Sequence, residues 1–494
     1  VTIRRRAARV VSFAACLALV FGVVGGGQAA ADSASTVGDL HVAQTLGDRE
    51  LTVVLRRVTS VPGPLRVDVV THAGAAPGTL RLRVAPTDAA GAPTDRQAEL
   101  RLGAAPGGYS ATLRVDRVGP WQVALDDGTR VALISFLVPG TALSPAERAT
   151  YAGFASAGAL LFLALVAAVR ARRGWLTLVP AGGVLAALAV AVTGAVLSAS
   201  LPLPPQPGPQ LDPTARNVAD PYALSQPLVS DYSRAPVVLA LPTAPLTAGQ
   251  PSDVTLSLTD GATGQPVDDL LVHDSALLHL LVIGPSGRLW HEHPVQVAPG
   301  EFQARLTLPA AGHYAVSAEL GRRGGGNQLL RSPTGLTVLP GNGSTGQADP
   351  VGGLGARRVD GVPVTVDATA LAAGRPVTIT ARIGDTATLQ PWLGMVGHLI
   401  AVGPLDGDPA VGAAAQTAQV WAHVHSMTAT TMAAAATPGG QPDETVAAFG
   451  PDVPFTYTFP VAGTYRVWIQ AERDYSTLTV PVVLDVPPAD GGRP

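Results

Sequence analysis

At 494 residues with 14% charged and 5% aromatic side chains, the chain is long enough for several domains, and its formal net charge of −3 gives no reason to expect nucleic acid as a partner. It has no lysine, and its one cysteine, Cys16, excludes an internal disulfide framework.

The chain opens with four arginines (Arg4, Arg5, Arg6, Arg9), an apolar run over 10–24 and the small residues Ala29-Ala30-Ala31. This order predicts a secretory signal peptide over 1–31, with an uncleaved anchor helix as the alternative. Cleavage would remove Cys16, so the exported chain could hold a metal only through His, Met, Asp or Glu. Next, short alternating apolar runs such as 50–58 and 65–71 predict a β-sandwich over 38–141. Its histidines, His41 and His72, stand apart from each other and read as ordinary polar or half-buried side chains.

Two uncharged stretches follow, 151–169 and from 175 to 199, each close to the roughly 20 residues that cross a bilayer as a helix. The Arg-rich link 170–174 between them is expected on the cytoplasmic side, which leaves both flanking regions outside. The expected location is therefore the cell membrane, with every β domain extracytoplasmic. Neither stretch holds an acidic residue or a histidine, which favours an anchor over a transport path.

A proline-rich linker occupies 200–232, and alternating runs such as 254–258 and 377–381 predict two more sandwiches over 233–340 and 356–487. The fold class is thus all-β, three immunoglobulin-like sandwiches plus a two-helix transmembrane hairpin. A glycine-x-aromatic corner recurs at Gly119-Pro120-Trp121, Gly312-His313-Tyr314 and Gly463-Thr464-Tyr465, once per sandwich.

Six of the ten histidines form a second repeat, confined to the last two modules: His279 with His291-Glu292-His293, and His398 with His423-Val424-His425. Alternate residues of a strand share a face, so each H-x-H pair presents two imidazoles side by side, within reach of the earlier histidine on a neighbouring strand. In the second module, 277–283 reads as a strand, 284–287 as a turn and 288–293 as the returning strand. His273 is then a possible fourth ligand or an outer partner, and Glu292 points to the opposite, solvated face. In the third module the connection is longer. Its surroundings hold all three methionines, Met395, Met427 and Met432, with Met427 continuing the alternation. A His/Met donor set without thiolate points to copper, as Cu(I) or Cu(II), with zinc as the alternative. Which strand face is the core stays open, because Trp290 lies opposite the histidines and Trp421 shares their face.

No nucleophile elbow, phosphate loop or paired-carboxylate arrangement is visible, so a binding protein is expected rather than an enzyme. Two other readings stand beside it: a cell-envelope scaffold with structural histidines, and a zinc-dependent hydrolytic module.

The segments Leu278-His279-Leu280, His291-Glu292-His293-Pro294 and Gly312-His313-Tyr314 resemble exported bacterial immunoglobulin-like modules with an H-L strand followed by an H-x-H-P strand. Gly397-His398-Leu399 with His423-Val424-His425 resembles a companion module, except that Ser426 stands where proline is usual. The resemblance covers about 233–487. Such modules are similar in size and setting to the CopC, YtkA and FixH groups, which implies copper handling and possible copper-handling partners in the envelope. The mature N-terminus, Asp32-Ser33-Ala34, lacks the terminal histidine of CopC-type proteins.

Overall fold

The computed structural model describes residues 39–87, 96–138, 144–170, 173–200, 234–322, 325–341, 351–405, 410–426 and 442–489. The expected signal peptide with Cys16, the linker beyond residue 200, and Met427 and Met432 lie outside the described residues.

Three β-sandwiches account for the strands. In the first, the sheet Leu40–Leu46, Arg49–Leu55, Gly63–Thr71, Gly107–Val115 faces the sheet Gln97–Leu102, Gly78–Pro86, Gly119–Asp126, Val131–Val138. In the second, a sheet centred on Pro251–Asp260 and Glu301–Thr307 faces one centred on Gly312–Arg322, with His279–Ile283 and Leu289–Glu292 toward its edge. The third repeats this plan, with Gly463–Arg473 beside His398–Gly403 and then Val420–His425. Each corner glycine has a positive φ (118°, 139° and 137° at Gly119, Gly312 and Gly463), a conformation that favours residues without Cβ. Trp121, Tyr314 and Tyr465 are fully buried, and each donates to a carbonyl four residues back, that of Arg117, Ala310 and Val461.

The strand His279–Ile283 is buried along its whole length, because both of its faces are covered. Leu280 and Val282 fill the core of their own sandwich, whereas Leu281 and Ile283 face the third module. There they meet Ile400, Val402, Trp421 and Trp468 in a second apolar core. This settles the face: Trp290 packs inward, Trp421 packs into the seam, and both sets of histidines lie on outward faces that cover each other. The longer connection of the third module carries a helix, Val411–Thr417, wedged into the same seam, with the Val411 amide donating to the Pro285 carbonyl at 3.0 Å. The Trp468 indole donates to the Gly287 carbonyl at 2.9 Å.

The first module joins the other two, although some hundred residues separate it from them in sequence. The Ala43 amide donates to the Ser275 carbonyl at 2.6 Å, the Thr45 amide to the His293 carbonyl at 2.8 Å, and the Ala73 amide to the Tyr475 carbonyl at 2.6 Å. His41 and His72 are buried rather than half-exposed, and His72 Nδ1 lies 2.9 Å from Glu472 Oε1 in the third module.

The helical hairpin is a separate unit made of Pro145–Arg170, a 3-10 turn Gly174–Thr177 and Leu178–Ser200. Its first helix starts at Pro145, ahead of the uncharged stretch, because Ser144 and Glu147 cap each other's amides at 3.0 and 2.6 Å. Small residues let the helices meet: a Cβ on Gly153 would lie 2.7 Å from the Ala191 nitrogen, and one on Gly194 2.8 Å from the Ala146 carbonyl oxygen. Both helices are long and apolar enough to cross a membrane, with mean hydropathy 2.2 and 2.1, and they expose side chains such as Val169 on the first and Leu185 on the second.

Candidate metal centre

Strand register brings each triad together. Leu281 pairs with His291 and Leu280 with Glu292, which carries the hairpin on to set His293 beside His279; His398 pairs with His425 and Ile400 with His423. One ring nitrogen from each of His279, His291 and His293 lies within 4.8 Å of the other two, and the same holds for His398, His423 and His425. Three imidazoles bonded to one ion at about 2.0–2.1 Å have nitrogens about 3.3–3.6 Å apart, so small ring rotations close each triad on a metal.

The outer ring nitrogens are held in place, and this fixes the inner ones. His279 Nε2 donates to the His273 carbonyl at 3.0 Å, and His398 Nε2 to the Trp392 carbonyl at 3.1 Å; a carbonyl can only accept. His423 Nδ1 donates to Glu319 at 2.8 Å, His291 Nδ1 to Gln470 Oε1 at 2.9 Å and His293 Nδ1 to Glu50 at 2.6 Å. His425 Nδ1 lies 3.4 Å from Asp274. A neutral imidazole has one N–H, so in the five rings whose outer nitrogen donates, the neutral form presents a lone pair at the inner nitrogen. Yet His279 Nδ1 and His291 Nε2 are 3.2 Å apart, as are His398 Nδ1 and His423 Nε2. The Nε2 atoms of His293 and His425 are buried with no hydrogen-bond partner.

Facing lone pairs need a proton or a metal ion between them. Burial, reinforced by His293 and His423, holds His279 and His291 well below the ordinary imidazole pKa, and burial with His425 and His423 does the same for His398. Burial and then His423 lower His425 to about 4. A proton shared between His279 and His291 is therefore disfavoured, and the donor set fits a cation with N-ligand preference. Carboxylate, carbonyl and amide partners on the outer nitrogens are the usual supports of metal-bound histidine.

His273 is one of those supports. It offers its carbonyl to His279, and its ring lies 2.9 Å from Asp274. Burial lowers its pKa, but hydrogen bonds to Asp274 and Glu319 outweigh that and raise it to about 9, which favours the charged ring. Burial would raise Glu319, yet its bonds to His273 and His423 keep it well below the usual carboxylate range. Glu292 is not solvated. It is half-buried beside the first module, where burial and then the charge of Glu50 push it up to about 8. Met395 is half-buried on a tight turn, its backbone paired with Trp392.

Glu50, Asp274, Glu319, Trp392 and Gln470 have no role at the site in the sequence reading. Two of them carried a signal: Glu319 and Gln470 each stand seven residues after a corner glycine, Gly312 and Gly463, opposite His279 and His398. Glu50 lies 243 residues from the histidine it holds.

Residues 357–488 match a family described as a domain of unknown function, DUF8832, which spans the third module alone. No curated protein matches the sequence. Among solved structures, the chain is similar to a tetra-tandem repeat from the extending region of a large adhesion protein (10% identity, 91% of this chain and 74% of that one, TM-score 0.16). It is also similar to the Escherichia coli adhesin FdeC (11% identity, 86% and 93%, TM-score 0.16). For E. coli alpha-2-macroglobulin the identity is 8% and the TM-score 0.17, with 85% of this chain covering 21% of that one. TM-scores this low leave the architecture resting on the strand orders and registers above.

Proposed function

We propose that the chain is a membrane-anchored, extracytoplasmic metal-binding protein that holds or relays copper through its two histidine triads. The observation that carries this reading is the convergence of buried imidazole nitrogens in rings of which five hold a hydrogen bond on the outer nitrogen. Structural histidines would use their inner nitrogens in hydrogen bonds within the protein, and here no donor reaches those of His293 and His425. Imidazole suits Zn(II), Ni(II) and Cu(II), and intrinsic affinity places Cu(II) above the others. The nearby carboxylates Glu50, Glu319 and Asp274 are engaged by imidazoles, which supports holding an ion over hydrolysis.

The anchoring part rests on the helical hairpin. An even number of crossings returns the chain to the side it left, which agrees with the first module packing against the other two.

The test is metal binding by the purified full chain in detergent, with Cu(II), Cu(I) and Zn(II) compared by competition with chromophoric chelators. Retention of copper at sub-micromolar free concentration, lost in a His279→Ala/His398→Ala double variant, is expected. Failure to hold any of the three ions at micromolar concentration would overturn the reading. Release of the chain from membranes by alkaline carbonate would overturn the anchor.

A further inference from the structure

The triads lie against each other across the seam between the second and third modules. The His291 ring centroid is 5.1 Å from that of His423 and 5.8 Å from that of His398, and His279 is 5.4 Å from His423. Distances within a triad are of the same size, 5.0 Å for His291 to His293 and 5.4 Å for His398 to His423. The Trp392 indole touches both sets, 5.2 Å from His291 and 5.0 Å from His398.

Each triad is also held by the other module. His291 of the second module donates to Gln470 of the third, and His423 of the third donates to Glu319 of the second. The exchange is reciprocal, as a local twofold arrangement of two similar modules requires. Turn by turn the halves correspond: the paired turns His273–Ala276 and Trp392–Met395 each supply the carbonyl that fixes the first histidine, six residues on.

We infer that the six histidines form one two-ion centre, in which ions on the two triads are close enough to interact and neither triad is complete without the opposite module. This rests on the metal-binding reading above. It differs from two independent sites, one per sandwich, because the inner imidazoles His291 and His423 stand between the ions and are steered from across the seam. Ordinary coordination by three imidazoles leaves each ion an open position.

The experiment is electron paramagnetic resonance of the full chain titrated with Cu(II) alone. At two equivalents, a coupled pair gives dipolar broadening with a half-field transition, or loses signal through antiferromagnetic coupling; either outcome supports the inference. In a His398→Ala/His423→Ala variant, one equivalent with the spectrum of an isolated ion is expected. Two equivalents with magnetically isolated spectra in the unmodified protein, or saturation at one equivalent, would overturn the two-ion centre while leaving metal binding intact. Absence of any bound Cu(II) would overturn both.

Discussion

Glu319→Gln tests the support of the third-module triad without removing a ligand. The carboxylate accepts from His423 Nδ1 at 2.8 Å, which aims the Nε2 lone pair at the point 3.2 Å away where His398 Nδ1 also faces. Glutamine keeps an accepting oxygen but removes the negative charge that raises imidazole basicity and offsets the charge of an ion. Losing such a support costs about 10–100-fold in metal affinity, or about 1.4–2.7 kcal/mol. The second-module triad already relies on a neutral amide, Gln470, at the corresponding place. The substitution should therefore weaken one of the two ions and bring their affinities closer together. Competition titration of the full chain with Cu(II) reads both binding steps. Two affinities unchanged within about threefold would refute the claim that this carboxylate supports the site.

Copper binding should quench the fluorescence of Trp392, whose ring is 5.0 Å from His398 and 5.2 Å from His291, and Trp392→Phe should remove that component while leaving copper stoichiometry intact. Gly412→Ala should loosen the seam, since a Cβ there would come within 2.3 Å of the His313 carbonyl oxygen and 2.8 Å of that of Ile283. A cost of about 1–3 kcal/mol, read by chemical denaturation, is expected for such overpacking. The contact of His72 with Glu472 should make stability pH-dependent. Burial lowers the pKa of His72, but the hydrogen bond to Glu472 outweighs it and raises the pKa from 6.5 to about 9. A raised folded-state pKa contributes stability fully below pH 6.5 that is lost as pH rises through 9. The thermal midpoint should fall across that interval in the unmodified protein and fall less in His72→Gln. Equal slopes would remove His72 as the cause.

Period-two alternation was enough to put His423 and His425 on one face of a strand, and the spacing of His279 from His291 implied the tight hairpin that joins them. Which face that was could not be read, because 277–283 is apolar apart from His279, and that happens when a strand is covered on both sides. The sequence treated the modules as beads, so it offered one site per module. What it lacked was the seam, where Leu281 and Ile283 meet Ile400 and Trp468. A support such as Glu50 leaves no local pattern, because its partner is 243 residues away. His72 read as an ordinary polar or half-buried side chain for the same reason: its partner Glu472 comes from 400 residues along the chain.

The position of the helical hairpin bears on how such a chain comes to be assembled. Glu50 and Thr45 are made before the hairpin, and the histidine they engage is made well after it, as is Glu472, 400 residues beyond His72. Contacts this distant in sequence form late, after the loops between them have closed. If the hairpin crosses a bilayer, they form only once the segments before and after it have reached the same side. A chain whose first module has not yet reached that side would then possess the histidines yet lack the Glu50 contact that holds His293.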